Sequence, residues 1–65
     1  MKRKELIRYL KKNDCVLLRE GKSHSVYLNR ANNKISTVPR HKEIYDLLAR
    51  KICKDLEISF PVGQK

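Results

Sequence analysis

Residues 15–29, Cys15-Val16-Leu17-Leu18-Arg19-Glu20-Gly21-Lys22-Ser23-His24-Ser25-Val26-Tyr27-Leu28-Asn29, decide the fold. Cys15 to Glu20 is rich in β-branched and aliphatic residues of strand type. Ser23 to Asn29 alternates, with His24, Val26 and Leu28 on one side and Ser25, Tyr27 and Asn29 on the other. Gly21-Lys22 lies between the two runs. A glycine in the first central position suits a type II′ turn, where that residue needs positive φ. The stretch reads as a β-hairpin.

Working outward, Arg30-Ala31-Asn32-Asn33 is a polar connection whose asparagines tolerate the left-handed region. Lys34 to Val38 makes a third, shorter strand, and Pro39 closes it. Upstream, Lys2 to Asn13 has a helical period: Leu6, Ile7, Tyr9 and Leu10 share one arc, and Lys4, Arg8, Lys11 and Lys12 the opposite one. Downstream, Ile44, Leu48, Ile52 and Leu56 recur at steps of four, with Leu47 flanking the same face. Asp46 and Arg50 are placed to pair at i,i+4, and Asp55 falls awkwardly toward the apolar arc. The order is α-β-β-β-α, an α+β sandwich in which both helices cover one face of a three-stranded antiparallel sheet. A sheet of three strands needs that cover to be stable.

The chain has 65 residues, with 16 Lys plus Arg against 7 Asp plus Glu, a formal net charge of +9. A chain near this length holds one small core, which excludes a large enzyme fold. Its 40% apolar content, in periodic groups, excludes a disordered basic tail. We therefore expect one domain over residues 1–58 and a flexible tail over 59–65, where Pro61 and Gly63 break the pattern. The longest apolar run, Cys15-Val16-Leu17-Leu18, is far short of the roughly 20 residues of a membrane span. Arg8, Lys11 and Lys12 interrupt any signal-peptide core. Two cysteines fit a reducing cytoplasm, with both thiols buried as small apolar groups. Cys15, His24, His41 and Cys53 show no zinc-ligand spacing, so no metal or other cofactor is expected.

The excess positive charge points to a polyanionic partner. Glu5 is the sole acid in the first helix, so Lys4, Arg8, Lys11 and Lys12 form a one-sided cationic face, and Lys22 and Ser23 come directly before His24. His24 stands at the exposed start of a strand, a position where general acids and bases are found. A lone histidine sharing its side with Val26 and Leu28 is more often a hydrogen-bonded packing residue. His41, after Pro39 and Arg40, reads as a capping or packing residue at the mouth of the last helix.

From about Lys2 to Ile58 the chain resembles the HicA-type toxins, the YcfA-like family of mRNA interferases. The resemblance rests on Lys4-Glu5-Leu6-Ile7 with Leu10, on Gly21-Lys22-Ser23-His24-Ser25-Val26-Tyr27, on Val38-Pro39-Arg40-His41 with Glu43-Ile44, and on Lys51-Ile52-Cys53-Lys54-Asp55-Leu56. It implies a double-stranded-RNA-binding-like fold, metal-independent cleavage of mRNA, a catalytic histidine at His24 and a HicB-like antitoxin. The toxin is then expected to be monomeric alone and to form a hetero-oligomer with the antitoxin. The family often has glycine where Lys22 stands and usually has glycine where Glu57 stands. The second acid or base stays open among Tyr27, Lys22, His41 and water. The alternative reading is a non-catalytic module that binds double-stranded RNA by shape, without cutting. A DNA-binding role lacks helix-turn-helix spacing or a base-reading cluster.

Overall fold

In the computed structural model, which describes residues 1–60, helix α1 spans Arg3–Lys12 and helix α2 spans Asp46–Asp55. Between them lie strands β1 (Cys15–Glu20), β2 (His24–Asn29) and β3 (Ile35–Pro39). The strands form an antiparallel sheet in the order β1-β2-β3, so the architecture is the expected α-β-β-β-α sandwich of double-stranded-RNA-binding type. No helix of the described residues is long and apolar enough to cross a membrane.

The helical arcs do what their spacing requires. Leu6 and Leu10 from α1 meet Ala49, Ile52 and Cys53 from α2 and Leu56 just beyond it, all essentially without exposure. The sheet contributes Cys15, Tyr27 and Val38 to the same cluster. On β2 the covered side is that of Ser25, Tyr27 and Asn29. Two of these three are polar, and each finds a partner distant in sequence. Arg3 Nη2 donates to Ser25 Oγ at 2.9 Å, and Asn29 Nδ2 donates to the Leu56 carbonyl at 2.8 Å. Burying a polar group without such a partner costs about 1–3 kcal/mol, so these contacts permit the polar side to face inward.

The opposite side of the sheet, with Val16, Val26, Leu28 and Ile35, has no helix over it, and Ile35 is half exposed. A bulge at Leu18, between the pairs Leu17↔Tyr27 and Arg19↔Val26, shifts the register of β1 by one residue.

The hairpin turn differs from the expected one. The Gly21 N–H donates to the His24 carbonyl at 2.7 Å, so Lys22-Ser23 are the central residues and Gly21 is not. Neither has positive φ. The glycine serves close approach instead: a Cβ at Gly21 would sit 3.2 Å from the His24 carbonyl oxygen. In the next turn Asn33 adopts φ 64°, as its residue type allows.

The second helix begins later than its apolar period suggests. Ile44 is buried but precedes α2, because the Ile44 N–H donates to the Met1 carbonyl at 2.8 Å and the Arg3 N–H to the Lys42 carbonyl at 2.8 Å. A Lys2↔Glu43 bridge joins these two segments. Helix α2 starts at Asp46 with Tyr45 as its uncapped N-cap, so the exposed His41 caps nothing. Leu47, expected on the apolar face, is 76% exposed, and Ala49 takes the inward position. Asp46 and Arg50 form no ion pair among the described residues; Arg50 lies 4.6 Å over the Phe60 ring. Asp55 is no misfit: its Oδ2 accepts from Ser36 Oγ and Lys51 Nζ, each at 3.1 Å. Of the tail expected over 59–65, residues 61–65 lie outside the described residues. The Ser59 carbonyl accepts the Tyr9 hydroxyl, and Phe60 packs against the core.

The end of α2 explains the Glu57 position. The Ile58 N–H donates to the Cys53 carbonyl at 2.9 Å and the Glu57 N–H to the Lys54 carbonyl at 3.0 Å, while Glu57 sits at φ 57°. That is a Schellman termination, which favours glycine. A left-handed residue with a Cβ costs roughly 1–2 kcal/mol, and the exposed Lys34–Glu57 pair at 3.8 Å contributes little against that. Glu57→Gly is therefore expected to stabilise the domain by about 1 kcal/mol, read as a melting midpoint raised by roughly 4–8 °C. A lowered midpoint contradicts this account of the helix end.

The hydrogen bond from Lys51, and secondarily that from Ser36, holds the Asp55 carboxyl below its ordinary range. A depressed folded value contributes stability that is present above the unfolded carboxyl range and lost as pH falls through the folded one. In Asp55→Asn, acid unfolding should depend less steeply on pH below the ordinary carboxyl range. An unchanged acid limb shows that the contact does not act in solution.

Candidate functional site

The hairpin tip is fastened from below by a chain of polar contacts. Arg3, in the first turn of α1, donates from Nε to the Pro39 carbonyl and from Nη2 to Ser25 Oγ, each at 2.9 Å. Ser25, fully buried, donates in turn to Glu20 Oε1 at 2.8 Å. The same carboxylate oxygen accepts from Arg40 Nη1, and Arg40 Nη2 donates to the Gly21 and Lys22 carbonyls. The Arg40 backbone N–H donates to the Ser23 carbonyl at 3.2 Å. Arg40 thus satisfies all three carbonyls of the loop over residues 21–23, two through its guanidinium and the third through its backbone N–H, and joins that loop to the end of β3.

This frame presents the candidate catalytic group. His24 is the first residue of β2, paired across the ladder with Pro39, and its side chain is exposed. Lys22 and Ser23 are exposed beside it. Tyr27, three residues along the strand, points to the other face and is only 5% exposed within the core. Burial raises its hydroxyl above the ordinary range, partly offset by the nearby Arg3. Tyr27 is therefore turned into the core, on the side of the sheet away from the exposed His24.

Helix α1 runs from the hairpin end of the sheet to the far end, since Arg3 reaches Pro39 and Ser25 while the residues after Lys12 lead into the start of β1. Lys4, Arg8, Lys11 and Lys12 are all exposed. At 1.5 Å per residue, Lys4 lies at the hairpin end and Lys11 and Lys12 lie about 10–12 Å farther along the axis. The structure brings Lys4, Lys22, Ser23 and His24 to one end, and Lys11 and Lys12 to the other.

Arg3, Glu20 and Arg40 are the residues that pattern reading passed over. In the sequence Arg40 has no role of its own within Val38-Pro39-Arg40-His41, and its contact with Glu20 spans twenty positions. The pairing of a half-exposed glutamate with a buried serine is visible only once the strands are in register.

Neither thiol is available for chemistry. Cys15 and Cys53 are unpaired and buried, and burial raises both, Cys53 to about 11, so they stay protonated at neutral pH. No cluster of three or more His, Cys, Asp or Glu able to hold a metal occurs among the described residues.

The class defined is a small basic α+β domain of double-stranded-RNA-binding type, presenting an exposed histidine on a fastened hairpin. A family model described as the HicA toxin of bacterial toxin-antitoxin matches residues 3–58, so the chain belongs to the HicA toxin family. No curated protein and no solved structure matches it in the corresponding searches. Membership makes the chain a toxin of a toxin–antitoxin system, with an antitoxin as its partner.

Removing the Glu20 carboxylate leaves the Ser25 hydroxyl and the Arg40 fork without their shared acceptor. Glu20→Ala is expected to lower stability by about 1–2 kcal/mol and to speed amide exchange across residues 21–24. A loss below about 0.5 kcal/mol, with unchanged exchange, means the contact does not hold the loop.

Proposed function

We propose that this toxin is a metal-independent endoribonuclease, an mRNA interferase acting in the cytoplasm, with His24 as its catalytic residue. Lys4, Arg8, Lys11, Lys12, Lys22 and Ser23 contact the RNA in this reading. The observation that supports it best is the exposed His24 at the mouth of a loop tied down by Arg40.

RNA supplies its own nucleophile, so the protein needs a proton acceptor, a proton donor and charge stabilisation at phosphorus. The 2′-oxygen attacks the adjacent phosphorus, its proton passes to a base, and the P–O5′ bond breaks. The leaving 5′-oxygen takes a proton from an acid, and a 2′,3′-cyclic phosphate remains. His24 fills one of the two proton-transfer roles. Lys22 stands where it stabilises charge developing on the phosphoryl oxygens. A HicB-like antitoxin neutralises the toxin by covering His24 or the cationic face, in a hetero-oligomer.

The test is incubation of purified protein with single-stranded RNA in EDTA, beside His24→Ala and a 2′-deoxy substrate. Wild type should cut in the chelator, His24→Ala should bind RNA yet cut about 10²–10⁴-fold more slowly, and the deoxy substrate should survive. Equal cutting by wild type and His24→Ala removes His24 from the mechanism. Binding of double-stranded RNA without any cutting supports the non-catalytic module instead.

A further inference from the structure

The first turn of α1 and the segment leaving β3 enclose a cleft of about 500 Å³ lined by Lys2, Arg3, Lys4, Arg40 and Lys42. We propose that this cleft is a phosphodiester-binding site that holds backbone phosphates of the RNA strand next to the one cut at His24. The identity of the strand rests on the ribonuclease reading above; the anion-binding character of the cleft does not.

Every lining residue is a cation, and they are unequally compensated. Glu20 takes Arg40, and Glu43 at the rim lies 3.9 Å from Lys2 Nζ, where an exposed pair contributes little. Lys4 and Lys42 have no carboxylate within ion-pair distance among the described residues. Positive charge remains in excess even with both acids counted against it. A concave surface lined by one sign focuses the field and raises the local concentration of the opposite charge. The uncapped N-terminus of α1 opens on the same space and adds to that field.

Arg3 and Arg40 are already held in place, Arg3 by Pro39 and Ser25, Arg40 by Glu20 and the loop carbonyls. Lys2, Lys4 and Lys42 are exposed around them. The cleft therefore combines two arginines held by hydrogen bonds with three exposed lysines. No aromatic ring, asparagine or glutamine lines it, so it offers phosphate contacts without base stacking or base-edge readout. It also lacks the buried aromatic or aliphatic anchor on which protein interfaces depend, which favours a nucleic-acid backbone over an acidic protein segment.

Position ties the cleft to the chemistry. Pro39 pairs with His24 across the ladder, and the next residue, Arg40, is both a wall of the cleft and the fastening of the Lys22-Ser23 turn. A strand bound in the cleft is thereby registered against the histidine, and phosphate contacts of this kind position a substrate without reading its sequence.

The experiment measures binding of a 2′-O-methyl oligoribonucleotide, which cannot be cut, at several salt concentrations. Wild type is compared with Lys2→Ala/Lys42→Ala and with Lys34→Ala/Lys54→Ala, which removes two charges at exposed positions outside the cleft. Cutting of the unmodified strand in EDTA is followed in parallel. The cleft variant should bind about tenfold more weakly at low salt, with the slope of log K against log salt shallower by about 1.4, while the control stays within about twofold of wild type. Equal weakening in the two double variants, or none in the cleft variant, overturns the proposal. So does cleft-dependent binding of polyglutamate by a wild type that does not bind the oligonucleotide. A wild type that binds through the cleft yet cuts nothing ends the ribonuclease reading and leaves the cleft as a nucleic-acid site.

Discussion

The Glu20 carboxylate is the point at which this small domain is tied together. Its Oε1 accepts from Ser25 at 2.8 Å and from Arg40, and Ser25 accepts from Arg3. Four segments meet there: the end of β1, the start of β2, the chain leaving β3 and the first turn of α1. Domains of this size draw only about 3–5 kcal/mol from a single core, so a polar clamp at the sheet's end matters to local order beyond its own free energy. Its position matters as much as its strength, because the chain it holds is the loop carrying Lys22, Ser23 and His24.

The clamp also separates the two jobs of β2. Inward residues Ser25, Tyr27 and Asn29 anchor the strand to Arg3, to the core and to the end of α2. The outward side begins at the exposed His24 and continues through Val26, which is buried although no helix covers it, and the half-buried Leu28. A histidine at the first residue of such a strand is exposed yet fixed in backbone, the combination that the proposed acid–base role needs. The cationic residues divide likewise: those of the cleft join the histidine through Arg40, and Lys11 and Lys12 lie farther off along α1.

The order of elements was legible because helical and strand periods differ sharply and the turn residues fall between them. Leu6, Leu10, Ile52 and Leu56 were readable as core for the same reason. Three features were not. The inward face of β2 carries Ser25 and Asn29, whose partners lie 22 and 27 positions away, so local hydropathy is silent about it. The bulge at Leu18 changes which side later residues of β1 occupy without leaving a Gly or Pro to announce it. The apolar period that runs back to Ile44 overstates α2, because pairing with Met1 and Arg3 holds that segment extended. At the site, His24, Lys22 and Lys4 could be singled out by residue type and place, but Arg3, Glu20 and Arg40 matter only through contacts that the folded register creates.

The most direct test of the clamp is a double-mutant cycle on Glu20 and Ser25, using Glu20→Ala, Ser25→Ala and the double variant, read by denaturant unfolding. The account predicts that the two losses overlap, with a coupling of about 1 kcal/mol. Losses that add within about 0.3–0.5 kcal/mol contradict it, since the two side chains would then be stabilising the hairpin independently or not at all.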